Sequence, residues 1–523
     1  MKMWQTRLSL AAVLLLASIA SACSSDGTKQ TAVSAKPGNS ASAAPSGSAK
    51  PKEVPKVYIY ANAGSMNAGI VSTPAALEEV RQAIIEKAGV DPQAIIPPKG
   101  TEQEKLNVLL ASNEPLDVFL GSTADFQAKG AIQPINELLD KYGGNIKKLW
   151  PTTWADTWGA VSTPDGKIWG VPQLPALSGN TVYLRTDWLA KVGLSMPKTI
   201  DELENVLKTF KEKDPAGSGQ TIPLIADLSG LNNALSAGFT DQGYGNWVDA
   251  DKKIKPPVLQ PGYKEFVAKM AEWYQKGYLY KEAFSIKADQ MKELIKQNRV
   301  GTASTWYTNV TSQIPALKTN QPAAAYEVAK DLRGPKGYVT TSGSFYRNGT
   351  MIAKNSKNAE AAIKLINWVD ADIENYFLVY FGIKNKHWKY VDESKHTIEL
   401  INQDYRGEFL IGSSFAYTVQ FTITTGNAPT YDFDYIRDYI TNTSRVKPTG
   451  DATVAYKYDN NAINQQVTTR ADLDRMMTEE ITKFIMGARP MSEYDAFIEQ
   501  LNKAGLDKWI AAYSAEYAKV SGK

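Results

Sequence analysis

From Val57 onward the chain repeats one rhythm: an apolar run of strand length, a polar break, then a capped helix. Val57-Tyr58-Ile59-Tyr60-Ala61 is rich in β-branched and aromatic residues and breaks at Asn62-Ala63-Gly64-Ser65. Thr73-Pro74 supplies an N-cap and a first helical position, and Leu77, Val80 and Ile84 follow at helical spacing. Thr101-x-x-Glu104 reads as a capping box before Leu106, Leu109 and Leu110. Leu116-Asp117-Val118-Phe119-Leu120 is a second short strand. Strand, helix, strand in this order predicts a parallel sheet with helices on its faces. The rhythm continues: Thr181–Leu184 is strand-like and Thr199-x-x-Glu202 caps a helix carrying Leu203, Val206, Leu207 and Phe210. Phe266–Tyr274 is amphipathic, Arg299–Ser304 reads as a strand entering Trp306, and Asn358–Val369 and Leu473–Met486 read as helices.

A chain of 523 residues is too long for one hydrophobic core, so two or more lobes are expected. The net charge of +3 is small for this size, and no basic stretch is interleaved with aromatics, which argues against nucleic acid as a partner. With 12 Trp and 26 Tyr against 2 His and a single Cys, the composition suits gripping a ligand better than reacting with one.

That cysteine, Cys23, ends a distinct N-terminal segment. Lys2 and Arg7 lead into an apolar run, Leu8–Ile19, which closes with Ala20-Ser21-Ala22-Cys23. Charged, apolar and small-residue regions in this order define a secretory signal over residues 1–22. A cysteine straight after small residues resembles a bacterial lipobox, whose cysteine becomes the lipidated, palmitate-bearing N-terminus. Ordinary secretion and a retained anchor are the alternatives, although the run is shorter than the ~20 apolar residues of a membrane span. No second apolar segment of that length follows residue 22. Residues 23–56 are rich in Ser, Ala, Lys and Pro and read as a flexible tether.

Five blocks carry a resemblance. They are Leu116-Asp-Val-Phe-Leu-Gly121, Gly130-Ala-Ile-Gln-Pro-Ile-Asn-Glu-Leu-Leu139, Asp165-Gly-Lys-Ile-Trp-Gly-Val-Pro172, Val182–Thr199 and Arg299–Trp306. Their order and spacing resemble the extracellular solute-binding proteins of bacterial ABC importers that take up oligosaccharides. Tyr380-Phe-Gly-Ile383 with His387-Trp388 is most similar to the large lipoprotein branch, which includes alginate-binding relatives. The resemblance implies an α/β fold of the periplasmic-binding-protein type II kind, with a ligand cleft between discontinuous lobes joined by crossing strands. Crossings are expected near Val171–Leu184, Val339–Ala353 and Gly382–Trp388. Lobe 1 would then comprise 57–175 with about 340–384, and lobe 2 about 176–339 with 385–523. The implied partners are an oligosaccharide, the permease subunits of an ABC importer, and a membrane reached through the N-terminal lipid. The protein would be a monomer on the extracytoplasmic face of the cell membrane.

A sugar offers hydroxyl edges and apolar C–H faces, so its site needs amide, hydroxyl or carboxylate groups together with aromatic planes. The loops after the expected strands offer Asn62, Ser65 and Asn67, then Ser122 and Asp125, then Gln173 and Asn180 at the first crossing. Trp306 and Tyr307 end a strand, and by resemblance this tryptophan stacks on sugar. Phe345 and Tyr346 at the second crossing, Trp388, and Tyr417 complete the candidates. Each of these aromatics has a core role as its alternative. Trp150, Trp154 and Trp158 recur every four residues and read as packing.

Related proteins can carry an EF-hand-like calcium loop at the position of Asp214–Pro223. Asp214 and Ser218 are weak candidates for its ligands, but Ala216 stands where a side-chain oxygen is needed and no acidic residue follows in the loop. A metal-free turn is expected, with no cofactor. Two rival functions share much of this sequence logic: a sugar sensor for a membrane kinase, and a secreted glycoside hydrolase, for which no block singles out a carboxylate pair.

Overall fold

The computed structural model describes residues 53–61, 71–150, 156–173, 178–217, 219–342, 348–425, 428–429 and 443–522. Val54–Lys523 gathers into one compact unit. Two sheets organise it. The strands are β1 (Lys56–Tyr60), β2 (Asp91–Ile95), β3 (Val118–Ser122), β4 (Val171–Pro172), β5 (Asn180–Arg185), β6 (Ile222–Ala226), β7 (Val300–Trp306), β8 (Tyr326–Val328) and β9 (Asn348–Ile352).

The first sheet has the order β2-β1-β3-β9-β4, with β1 parallel to β2 and β3, and β9 antiparallel to β3 and β4. The second has the order β8-β5-β7-β6, with β6 parallel to β7, and β5 antiparallel to β7 and β8. Each sheet centres a lobe. The chain crosses between them from β4 to β5 and again into β9. A parallel pair, Thr341–Ser342 beside Lys447–Pro448, marks the crossings near 342 and 447. The second lobe grips this pair. Lys447 Nζ donates to the carbonyls of Ala237 (2.9 Å), Thr240 (2.7 Å) and Lys336 (2.6 Å), and Tyr244 N donates to Thr341 Oγ1 at 2.8 Å.

Local sequence explains most elements. Helix Pro74–Ala88 begins with Thr73 Oγ1 accepting from Ala76 N, buries Val80 and Ile84, and ends at Gly89 with φ 64°. Helix Ile200–Lys213 is capped by Thr199 Oγ1, which accepts from Glu202 N at 3.1 Å, and it buries Leu203, Val206, Leu207 and Phe210. Thr101 breaks the pattern. It precedes helix Glu102–Ala111, but its hydroxyl donates to Pro98 O at 3.0 Å, so no capping box forms.

The third crossing differs from expectation. Trp388 packs edge-on against Phe377 of helix Ile373–Phe381, whose neighbour is helix Pro74–Ala88. Glu408 accepts from Ser72 N at 2.6 Å, and Thr73 N donates to Asp404 O at 2.8 Å. The chain from 385 to 425 therefore stays with the helices of the first lobe, because its aromatic faces are spent there. Segments from Tyr458 onward pack in the core of the second lobe with Phe266 and Trp273. No crossing therefore falls near Gly382–Trp388: residues 385–425 pack with the first lobe, and Lys447 pairs with the crossing strand at Thr341. Among the described residues, no helix is long and apolar enough to cross a membrane. The expected tether, up to residue 52, and Cys23 lie outside the described residues.

Candidate functional site

Strand register shows where the lobes meet. Asn348 pairs with Ser122 and Gly349 with Pro172, so the C-terminal ends of β3 and β4 and the start of β9 share one edge. Asn180 pairs with Trp306, and Ala226 with Ser304, so the start of β5 and the ends of β6 and β7 share another. The chain links these two edges directly, from Pro172 to Asn180 and from Ser342 to Asn348. Ligand pockets favour such places between lobes.

On the first edge, Ser122 is half-buried and caps helix Thr123–Ala128, its Oγ accepting from Asp125 N at 3.4 Å. Asp125 is exposed in the first turn of that helix. Gln173 is buried and already engaged: its Nε2 donates to Thr350 Oγ1 at 2.6 Å and to Gly412 O, and its backbone N donates to Asn348 O at 3.2 Å. Gln173 fixes the first crossing to β9 and to the 412 turn. Beside that turn, Asp370 is fully enclosed, with Ser413 donating from N (3.1 Å) and Oγ (2.8 Å), and Trp150 Nε1 donating to Ser413 Oγ at 3.1 Å. Burial pushes the Asp370 carboxyl up to about 7, and the two Ser413 hydrogen bonds only partly oppose it.

On the second edge, Asn180 is half-buried, as is Trp306. The indole lies over Gly179, where an added Cβ would come within 2.0 Å of a ring carbon, so only glycine lets the ring settle there. Tyr307 is buried next to it, with ring centroids 5.6 Å apart and its N donating to Gly179 O at 2.9 Å. Asn309 Nδ2 donates to Thr305 Oγ1 at 2.9 Å.

Two residues at these edges escaped the sequence reading. Asp227 follows β6, is exposed, and caps helix Leu228–Leu235 through Oδ1, which accepts from Gly230 N at 2.6 Å. Gly230 itself presses on β7: a Cβ there would sit 2.1 Å from Ser304 O. The apolar run Ile222–Ala226 before a capping Asp was the available signal. Asn348 is exposed at the start of β9. The sequence indicated its strand only as a crossing near Val339–Ala353, without singling out Asn348.

Two candidates lie in the core instead. Trp388 is 1% exposed, with Nε1 donating to Gly382 O at 2.8 Å and the ring edge-on to Phe377 at 5.0 Å. Tyr417 is buried, stacked on Tyr376 at 4.8 Å, and donates to Val369 O at 3.4 Å. Both spend their faces on neighbouring aromatics and present none to a ligand. Asn62, Ser65, Asn67, Phe345 and Tyr346 lie outside the described residues, as do Ser218 and Trp154. Asp214 ends helix Ile200–Lys213 in the left-handed region and precedes the start of β6, whose other end lies at the second edge. Among the described residues, no group of three His, Cys, Asp or Glu side chains forms a metal site.

This arrangement of two sheets and crossing strands is the fold of extracellular solute receptors. Residues 71–371 match the model of the family described as bacterial extracellular solute-binding protein, and the chain belongs to that family. It is 25% identical over 466 residues to the fructooligosaccharide ABC transporter substrate-binding protein FusA of Streptococcus pneumoniae, covering 79% of this chain and 82% of that protein. Its fold is similar to that of the N-glycan transport solute binding protein NgtS of Streptococcus pneumoniae, with TM-score 0.67, 17% identity and coverage of 90% and 99%. It is also similar to that of the alginate-binding protein AlgQ2 solved without calcium ion, with TM-score 0.61, 20% identity and coverage of 89% and 98%.

Proposed function

We propose that the protein captures an oligosaccharide between its lobes, without turning it over, and delivers it to the permease subunits of an ABC importer. The observation that carries this reading is Trp306. Its half-buried indole sits at the end of β7, opposite Asn180 in register, on the edge where Asp227 follows the neighbouring strand β6. An aromatic plane on an edge that also carries amide and carboxylate groups matches a sugar's apolar face and hydroxyl edge. Unpaired buried polar groups would penalise a sugar lacking the matching hydroxyl. Ser122, Asp125 and Asn348 would supply the facing edge, with Gln173 holding the crossing. Asn62, Ser65, Asn67, Phe345 and Tyr346 would complete the site. The relatives named for sugar transport support the ligand class.

In the same reading, residues 1–22 are a signal peptide, Cys23 carries the lipid, and the monomeric body stands on the extracytoplasmic face of the cell membrane. Ligand contacts with both lobes would bias a hinge closure.

A thermal-shift screen of the chain against plant, algal and microbial oligosaccharides, with product analysis, tests the proposal. A ligand at 100 times its Kd should stabilise by about 2.7 kcal/mol. One sugar class should raise the melt and be recovered intact. Shifts with peptides or amino acids alone would overturn the ligand class, and released product would overturn the receptor role.

A further inference from the structure

The turn that joins helix Ile200–Lys213 to β6 occupies the place where related proteins can carry a calcium loop. Calcium takes about six to eight oxygen ligands, with carboxylates prominent among them. Here the residues do not fit. Ala216 has no side-chain oxygen, and the late loop positions Ile222 and Pro223 are buried in β6. The one carboxylate, Asp214, is already satisfied by protein donors. Its Oδ2 accepts from Gly219 N at 2.6 Å and its Oδ1 from Thr221 N at 3.1 Å. Thr221 Oγ1 in turn accepts from Ala216 N at 3.0 Å. From outside the loop, Lys191 Nζ donates to Pro215 O at 2.9 Å, bringing a positive charge to the loop backbone. Positive φ at Asp214 (45°), Gly217 (82°) and Gly219 (68°) lets the backbone fold its N–H groups inward around the carboxylate.

We propose that this loop is a self-closed clasp, in which backbone N–H groups and the Lys191 ammonium do the work of a cation, so that the second lobe folds independently of calcium. The carboxylate, the threonine hydroxyl and the Pro215 carbonyl each have a protein donor, which leaves too few free oxygens to draw a divalent ion from water. The lowered Asp214 carboxyl agrees with this: the Thr221 side chain is the main cause, assisted by backbone N–H groups.

The test compares melts of the full chain in EDTA and in millimolar calcium, with Asp214→Ala, Lys191→Met and Thr221→Val alongside. The wild-type melts should superimpose. Each variant should melt about 1–4 °C lower, by the same amount in both buffers, the loss being that of one or two hydrogen bonds in a large domain. A calcium-dependent rise of several degrees in the wild-type that Asp214→Ala abolishes would overturn the proposal. Calorimetric titration of the wild-type with calcium chloride stands free of any folding defect in the variants. Absence of saturable heat supports the clasp, and stoichiometric binding overturns it.

Discussion

Trp306 and Trp388 both border a strand, and both follow short polar stretches in the sequence, yet they end in opposite environments. Trp306 closes β7 at the edge where the chain crosses between lobes, half-buried, with Gly179 beneath it. Trp388 opens a strand backed by helix Ile373–Phe381 and is enclosed by Phe377 and Tyr390. What differs is the layer behind the strand. A strand end at a lobe junction has no second layer, whereas a strand covered by an aromatic helix has no room for anything else. Exposure of an aromatic side chain is decided by the layer packed against it, Gly179 beneath Trp306 and Phe377 against Trp388.

The comparison breaks most visibly through stability. Trp388→Ala should cost about 3–5 kcal/mol, the usual range for a large aromatic removed from a packed core. Denaturant unfolding checks this, and a cost no greater than that of Trp306→Ala would erase the distinction. Gln173→Ala comes next. It removes the amide donor shared by the buried Thr350 hydroxyl and Gly412 carbonyl, leaving only the long 3.5 Å bond between them, and a lost buried partner costs about 1–3 kcal/mol. The first crossing should also loosen, read as faster hydrogen exchange at Thr350 and Asn348.

Gly179→Ala sharpens the other side. The new Cβ must displace the Trp306 indole, so ligand affinity should fall by roughly tenfold, equivalent to ~1.4 kcal/mol. Calorimetry on the ligand found by screening checks it, and unchanged affinity would detach Trp306 from the site.

A further effect concerns pH. Unfolded aspartate loses its proton near pH ~3.9. The folded Asp370 carboxyl, pushed up to about 7, holds its proton longer. Its contribution is thus full below the unfolded value and lost as pH rises through about 7. Asp370→Asn has no such loss, so its stability relative to wild-type should improve from pH 5 to pH 8. Melts across that range would show it, and a constant difference would contradict it.

The fold was legible where local chemistry and tertiary structure agree. Thr73-Pro74 and Thr199-x-x-Glu202 mark real caps, and the β-rich runs at Val57, Thr181 and Arg299 are strands. β2 was missed because Pro92 removes a ladder donor and reads as a break. Its edge position tolerates that loss. β6 was missed because it is five residues long and follows a turn-rich stretch, so periodicity had too little to act on, and β9 was indicated only as a crossing near Val339–Ala353. At the site, strand-end logic found Ser122, Asn180 and Trp306 at the lobe junction, and it overlooked Asp227 and Asn348. It could not separate Trp388 and Tyr417 from surface aromatics, because their packing on Phe377 and Tyr376 is a tertiary contact that residue pattern does not show.

The central claim is that Trp306 serves a ligand and not the core. The most direct measurement is a paired one on Trp306→Ala: calorimetric affinity for the oligosaccharide that stabilises the wild-type, and the melting temperature without it. Affinity should fall by at least about tenfold, ~1.4 kcal/mol, while the melt stays within a few degrees. Retained affinity with a collapsed melt would contradict the account.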